Sequence, residues 1–158
     1  MGKLKKRDLL AKTITALKKK GKTVSFANGC FDIMHVGHVR FLEAAKAKAD
    51  VLVLGLNSDS SVRKLKGKGR PLVNQDERAE ILSAFSCVDY IVIFNELTVD
   101  KTLEVLRPTY HCKGTDYTAD TVPEKDIAKK LGIKIAIVGD PKDHSTKDII
   151  KNIVEKYN

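Results

Sequence analysis

A chain of 158 residues, 42% apolar and 31% charged, has room for one buried core and the balance of a folded domain, which excludes fibrous and disordered polymers. Cys30, Cys87 and Cys112 are odd in number and widely spaced, which indicates neither a disulfide scaffold nor a zinc finger. No run approaches the length of a membrane span, and no cleavable leader pattern follows the basic start, so a protein of the reducing cytoplasm, away from the membrane, is expected.

The net charge of +9 is unevenly placed. Residues 1–22 hold nine Lys and Arg against Asp8 alone, a net of +8, and leave the remainder nearly neutral. Such a segment attracts phosphate, yet it has no aromatic side chain to interleave with bases, so a lysine coat is expected rather than a nucleic-acid surface. Leu9, Leu10, Ile14 and Leu17 give it helical spacing up to Gly21. It reads as a basic N-terminal helix packed on a domain of residues 23–158.

A buried strand is predicted over Val24–Ala27, then a turn over Cys30–His35 and a helix over Val36–Ala49. Val51–Leu56 is apolar throughout, as in a parallel sheet covered on both faces. Ser58, Asp59, Ser60 and Ser61 can each cap a short helix. Lys64–Arg70, closed by Pro71, reads as a mobile loop. Asn74 caps a helix to Ser86, with Ile81, Leu82 and Phe85 inward. Further strands are predicted over Val88–Phe94, Thr109–Lys113 and Ile133–Val138. Helices are predicted from Thr98 to Arg107, from Pro123 to Leu131, and onward from the Ser145 cap through Ile149, Ile150 and Ile153. This alternation predicts a single α/β domain of three layers around a mainly parallel five-stranded sheet.

Ligands of such sheets bind beyond the C-terminal strand ends. There stand Asn28-Gly29-Cys30-Phe31-Asp32 and His35-x-Gly37-His38. At i, i+3 the two imidazoles project from one side of a first helical turn, beside free backbone N–H groups that favour an anion. Two such donors suit the charge that builds on phosphate oxygens. Metal ligation is the rival reading, with no third ligand nearby.

These residues resemble the nucleotide-binding signature of the cytidylyltransferase-like nucleotidyltransferase superfamily, whose fold is Rossmann-like. Asn57-Ser-Asp59, Leu65-Lys66-Gly-Lys68-Gly-Arg70-Pro, Glu77-Arg78, Lys113-Gly114-x-Asp116-Tyr117 and His144-Ser145-Thr146 are most similar to the adenylyltransferase domain of bifunctional ADP-heptose synthases. No kinase-like segment is read in these residues, so a stand-alone nucleotidyltransferase is expected. The resemblance implies that His35 and His38 contact nucleotide phosphates, and that Asn28 and Phe31 form the pocket with Asp32 at its edge. Gly29, Cys30, Gly37, Lys113, Gly114, Asp116, His144, Ser145 and Thr146 would complete it. Lys46 is implied to reach forward to phosphate, and Arg78 to clamp it, a surface salt bridge being the plainer alternative for Arg78. Asn57, Asp59, Lys66, Lys68 and Arg70 fall to the acceptor or to a closing loop. Asp143 and Lys147 depart from the usual glycine and threonine.

The implied reaction joins a nucleoside triphosphate, ATP by preference, to a sugar 1-phosphate, D-glycero-D-manno-heptose 1-phosphate by preference. It releases pyrophosphate and yields ADP-heptose, a lipopolysaccharide precursor. Magnesium bridging the phosphates and a homodimer are implied as well, the metal ligands staying open. A CTP-dependent transferase acting on a polyol phosphate or choline phosphate is the nearest alternative, and a noncatalytic nucleotide-binding module the next.

Overall fold

The computed structural model describes residues 2–141 and 143–157; Met1, Lys142 and Asn158 lie outside the described residues. The apolar runs form β1 (Val24–Gly29), β2 (Val51–Asn57), β3 (Tyr90–Phe94), β4 (Tyr110–Lys113) and β5 (Lys134–Ile137). Their order across the sheet is β3-β2-β1-β4-β5, with every pairing parallel. Strand order therefore reverses between β1 and β4, which opens a crevice at their C-terminal ends.

Pleating sends alternate side chains to two cores. On one face Leu52, Leu54 and Leu56 of β2 pack with Leu42 and Ala45 of α2 (Val36–Lys46) and Ala79 and Leu82 of α4 (Gln75–Ser83). On the other, Phe26, Val53 and Phe94 meet Leu10 and Ile14 of α1 (Arg7–Lys19), Leu103 of α5 (Asp100–Leu106) and Ala128 of α6 (Lys125–Leu131). The remaining helices are α3 (Asp59–Lys66) and α7 (Thr146–Tyr157).

Local chemistry fixes the helix starts. The Ser58 hydroxyl accepts from Ser61 N at 3.2 Å, and Asn74 Oδ1 accepts from Asp76 N and Glu77 N at 3.1 and 3.0 Å. The Arg7 guanidinium grips Glu96 through two bonds of 2.8 and 2.7 Å and holds that carboxyl down to about 2. Residues 3–5 pair with Ile91 on the outer side of β3, covering the sheet edge.

Three expectations need correction. Ile81 is exposed rather than inward, because the buried stripe of α4 runs through Arg78, Ala79 and Leu82 and Ile81 falls about 100° away from Leu82. Helices α2 and α4 end at Lys46 and Ser83, each three residues before the expected Ala49 and Ser86. Lys64–Lys66 lie within α3, and residues 70–73 are tied down by Asp32. Helix α7 buries none of its side chains and leaves Ile153, Val154 and Tyr157 exposed. Among the described residues no helix is long and apolar enough to cross a membrane.

Candidate active site

The crevice between β1 and β4 opens into a cavity of about 630 Å³ lined by the 28–32 turn, the start of α2, the 113–117 loop and the segment entering α7. His35 has extended backbone angles and stands one residue before α2, so that Val36, Gly37 and His38 form its first turn. The His35 and His38 rings stack with centroids 3.8 Å apart. Phe31 flanks His38 at 5.1 Å and His144 flanks His35 at 6.3 Å, which makes a row of one phenyl and three imidazoles.

Two glycines make that row possible. A Cβ on Gly37 would lie 3.0 Å from His35 Nδ1 and 3.6 Å from the His144 Cβ, so the ring lies flat where any other residue would push it. A Cβ on Gly29 would lie 2.9 Å from the Phe31 ring. Phe31 itself is held at φ 47°, a left-handed conformation costly for an aromatic residue, which places its ring beneath His38.

Asp32 is buried, and its carboxylate faces the loop after α3. It accepts from Arg70 Nε at 2.5 Å, Leu72 N at 2.8 Å and Val73 N at 2.9 Å. Burial alone would raise its pKa, but the Val73, Leu72 and Arg70 donors outweigh that and hold it below the ordinary carboxylate value. The tether brings Lys66 and Arg70 to the cavity wall, whereas Lys68 is not part of the lining.

Across the crevice, Tyr117 N donates to Gly114 O at 3.1 Å and closes the turn after β4. Ser145 N-caps α7, accepting from Asp148 N at 3.1 Å and donating to Asp148 Oδ2 at 2.6 Å, while the Thr146 hydroxyl reaches Ile33 O at 3.3 Å. The Asp143 carboxylate bonds His144 Nδ1, and His144 holds it below its usual range. Cys112 is a buried core thiol, pushed up to about 12 by burial and so unreactive.

Sequence reasoning missed Arg40, on the second turn of α2, which lines the cavity and pairs with Asp140 at 3.0 Å. Its signal was its place two residues after His38. With Arg40 included, the lining holds five Lys and Arg and three His against four Asp. Arg70, Arg40 and His144 already engage three of those carboxylates. Five cations against four carboxylates, with three imidazoles able to donate, favour an anion.

Residues 26–155 match a family model described as cytidylyltransferase-like. The chain belongs to that family. It is 48% identical to the bifunctional protein HldE of Geobacter sulfurreducens over 98% of this chain and 32% of that protein. The HldE of Aliarcobacter butzleri is 47% identical over 92% of this chain and 30% of its own length. The chain thus spans about a third of the curated relatives it matches. In fold it resembles the lipopolysaccharide core biosynthesis protein from Thermoplasma volcanium GSS1, with a TM-score of 0.67 and 28% identity over 77% of this chain and 100% of that one.

Within this cytidylyltransferase-like domain two expected phosphate ligands lie elsewhere. Arg78 is fully buried. It donates to Val73 O at 2.9 Å, Cys30 O at 2.5 Å, Asn57 O at 2.9 Å and Asp59 Oδ1 at 2.8 Å. Four of its five donors are spent on protein acceptors, so it positions the turn after β1 rather than clamping phosphate. Asp59 is its partner and is absent from the cavity lining, which Asn57 joins.

Lys46 sits at the opposite end of the sheet. Its ammonium donates to Asp50 O at 2.5 Å and Asp89 Oδ2 at 2.6 Å, just before β2 and β3 begin. Eight residues of helix carry it about 12 Å from His38, and a helical side chain leans back by only part of that. Lys46→Met is expected to cost about 1 kcal/mol in a denaturant melt and to leave nucleotide affinity unchanged, as checked by calorimetry.

Proposed function

We propose that the chain is an adenylyltransferase that joins ATP to a sugar 1-phosphate, with D-glycero-D-manno-heptose 1-phosphate the best acceptor, giving ADP-heptose and pyrophosphate. The observation that carries this reading is the stacked His35–His38 pair at the start of α2, beside the β1/β4 strand-order reversal. The likeness to HldE supports the choice of nucleotide and acceptor.

An acceptor phosphate oxygen attacks the α-phosphorus in line, the bond from that phosphorus to the α,β-bridging oxygen breaks, and its electrons leave with pyrophosphate. The attacking oxygen is already anionic, so no side-chain base is required. Catalysis then rests on positioning and on donors to oxygens whose charge rises. His35 and His38 supply those donors, with Lys66, Arg70 and the α7 entry around the remaining phosphates. Asn28, Gly29, Cys30 and Phe31 with the Lys113–Tyr117 loop hold the nucleoside.

Among the described residues no three His, Cys, Asp or Glu side chains converge as a metal cage. Magnesium would enter with the ATP substrate and would supply charge neutralisation to its phosphates. The outward lysines of α1 form a solubilising coat. A homodimer belongs to the same proposal, and sedimentation at the mass of one 17.5 kDa protomer across concentrations would contradict it.

The test is a matrix of ATP, CTP, GTP and UTP against heptose, hexose and polyol phosphates, scored by pyrophosphate release. ATP with the heptose 1-phosphate is expected to give the highest kcat/KM; a preference for CTP with a polyol or choline phosphate overturns the assignment. Gly37→Ala is expected to lower kcat at least about tenfold by displacing the His35 ring, while thermal melting stays within a few degrees because alanine favours the helix. Parallel kinetics and melts read both.

A further inference from the structure

We propose that Glu124 is a positioning residue for the nucleotide pocket, acting through Lys113 to hold the 114–117 wall in place. The inference rests on the pocket assignment under Proposed function and adds to it a residue outside the cavity lining.

Side chains alternate along β4, so His111 and Lys113 share one face and Cys112 takes the other. Glu124, which directly precedes α6, brings its carboxylate beneath that face, buried to 5% exposure. One oxygen, Oε2, meets His111 Nε2 at 3.3 Å and Lys113 Nζ at 3.4 Å. The Lys113 ammonium also lies 4.8 Å from the Tyr117 ring centroid. One cation therefore ties the start of α6 to the far end of the Gly114–Tyr117 turn, and Gly114, Asp116 and Tyr117 all face the cavity.

The arrangement costs more than it returns as a mere prop. A carboxylate only accepts, so His111 Nε2 carries the hydrogen, and Nδ1 is left buried without a hydrogen-bond partner. Burial by itself would raise the Glu124 pKa; His111 and Lys113 outweigh it and hold the group down to about 2. An apolar cluster of similar volume would serve stability as well or better. What the anion adds is a fixed direction for Lys113. Without it the ammonium is free to turn into the cavity and the Tyr117 contact loosens.

The experiment is a double-mutant cycle of Glu124→Gln and Lys113→Met, read by ATP affinity and steady-state kinetics, with acetic anhydride labelling of Lys113 followed by mass spectrometry. Glu124→Gln is expected to raise KM and Kd for ATP about tenfold, with kcat and the acceptor KM within about twofold. Lys113→Met, which also removes a pocket residue, should raise the ATP KM and Kd at least as much, and the double variant should be no worse than Lys113→Met alone. Acetylation of Lys113 should rise at least about threefold in Glu124→Gln, because its ion-paired ammonium is released. Unchanged ATP affinity in Glu124→Gln, or additive losses in the double variant, would overturn the proposal. If Glu124→Gln does not fold, Tyr117→Leu cuts the other end of the tie and must give the same rise in KM. A wild-type protein that binds no ATP removes the pocket assignment instead. Lys113 labelling then decides the positioning claim, an unchanged rate contradicting it and a rise supporting it.

Discussion

His38→Ala is expected to lower kcat about a hundredfold, the scale seen when one donor to a developing oxyanion is removed. The ring lies between Phe31 and His35, and it is only part-buried, so the fold should survive its loss. The deficit belongs in kcat rather than in the ATP KM, because the donor strengthens as charge moves onto the phosphate oxygens. His38→Asn, which keeps an N–H donor on a shorter side chain, should recover part of the rate. Pyrophosphate release measured at saturating ATP reads the effect, and turnover near the wild-type value in His38→Ala would remove the catalytic role of the pair.

Arg78→Met is expected to be the most destabilising single change in the site, costing about 3–5 kcal/mol. It strips Val73 O, Cys30 O and Asn57 O of their donor and leaves Asp59 without its cation. An unpaired buried acceptor costs about 1–3 kcal/mol by itself. The loss is a large share of the 5–15 kcal/mol that typically holds a domain together. Arg78→Lys should fare little better, since one ammonium cannot follow the guanidinium fork to four acceptors in different directions. A phosphate clamp would behave in the opposite way, with a weakened ATP KM and an unchanged melt. Denaturant midpoints and ATP affinity measured on the same variants separate the two roles.

The contrast between His38 and Arg78 shows what could be read in the chain and what could not. The histidine pair was legible because its parts are neighbours in sequence. A strand, a glycine-bearing turn and an i, i+3 pair at a helix start fix one another locally. The Asn74 cap was legible for the same reason, since it acts on N–H groups two and three residues ahead, and the cap of α3 was legible as one of the run Ser58–Ser61, of which Ser58 takes the role.

Arg78 was misread because two of its partners are carbonyls 48 and 21 residues away, on segments that only the parallel sheet brings together. Beside Asp76 and Glu77 it has the local pattern of a surface ion pair, and nothing nearby signals burial. Lys46 failed for a simpler reason of direction. Its helix starts at the cavity and runs away from it, so each residue after His38 moves further from phosphate. Glu124 was passed over because an acid after Pro123 looks like an ordinary helix start; its burial depends on His111 and Lys113, a strand away.

The most direct test of the account is a crystal structure of the protein with a nonhydrolysable ATP analogue and magnesium. The triphosphate is expected at the start of α2, with its oxygens within hydrogen-bond distance of both His35 and His38 and the base against the 113–117 loop. A nucleotide whose phosphates bind elsewhere, out of reach of both rings, would contradict it.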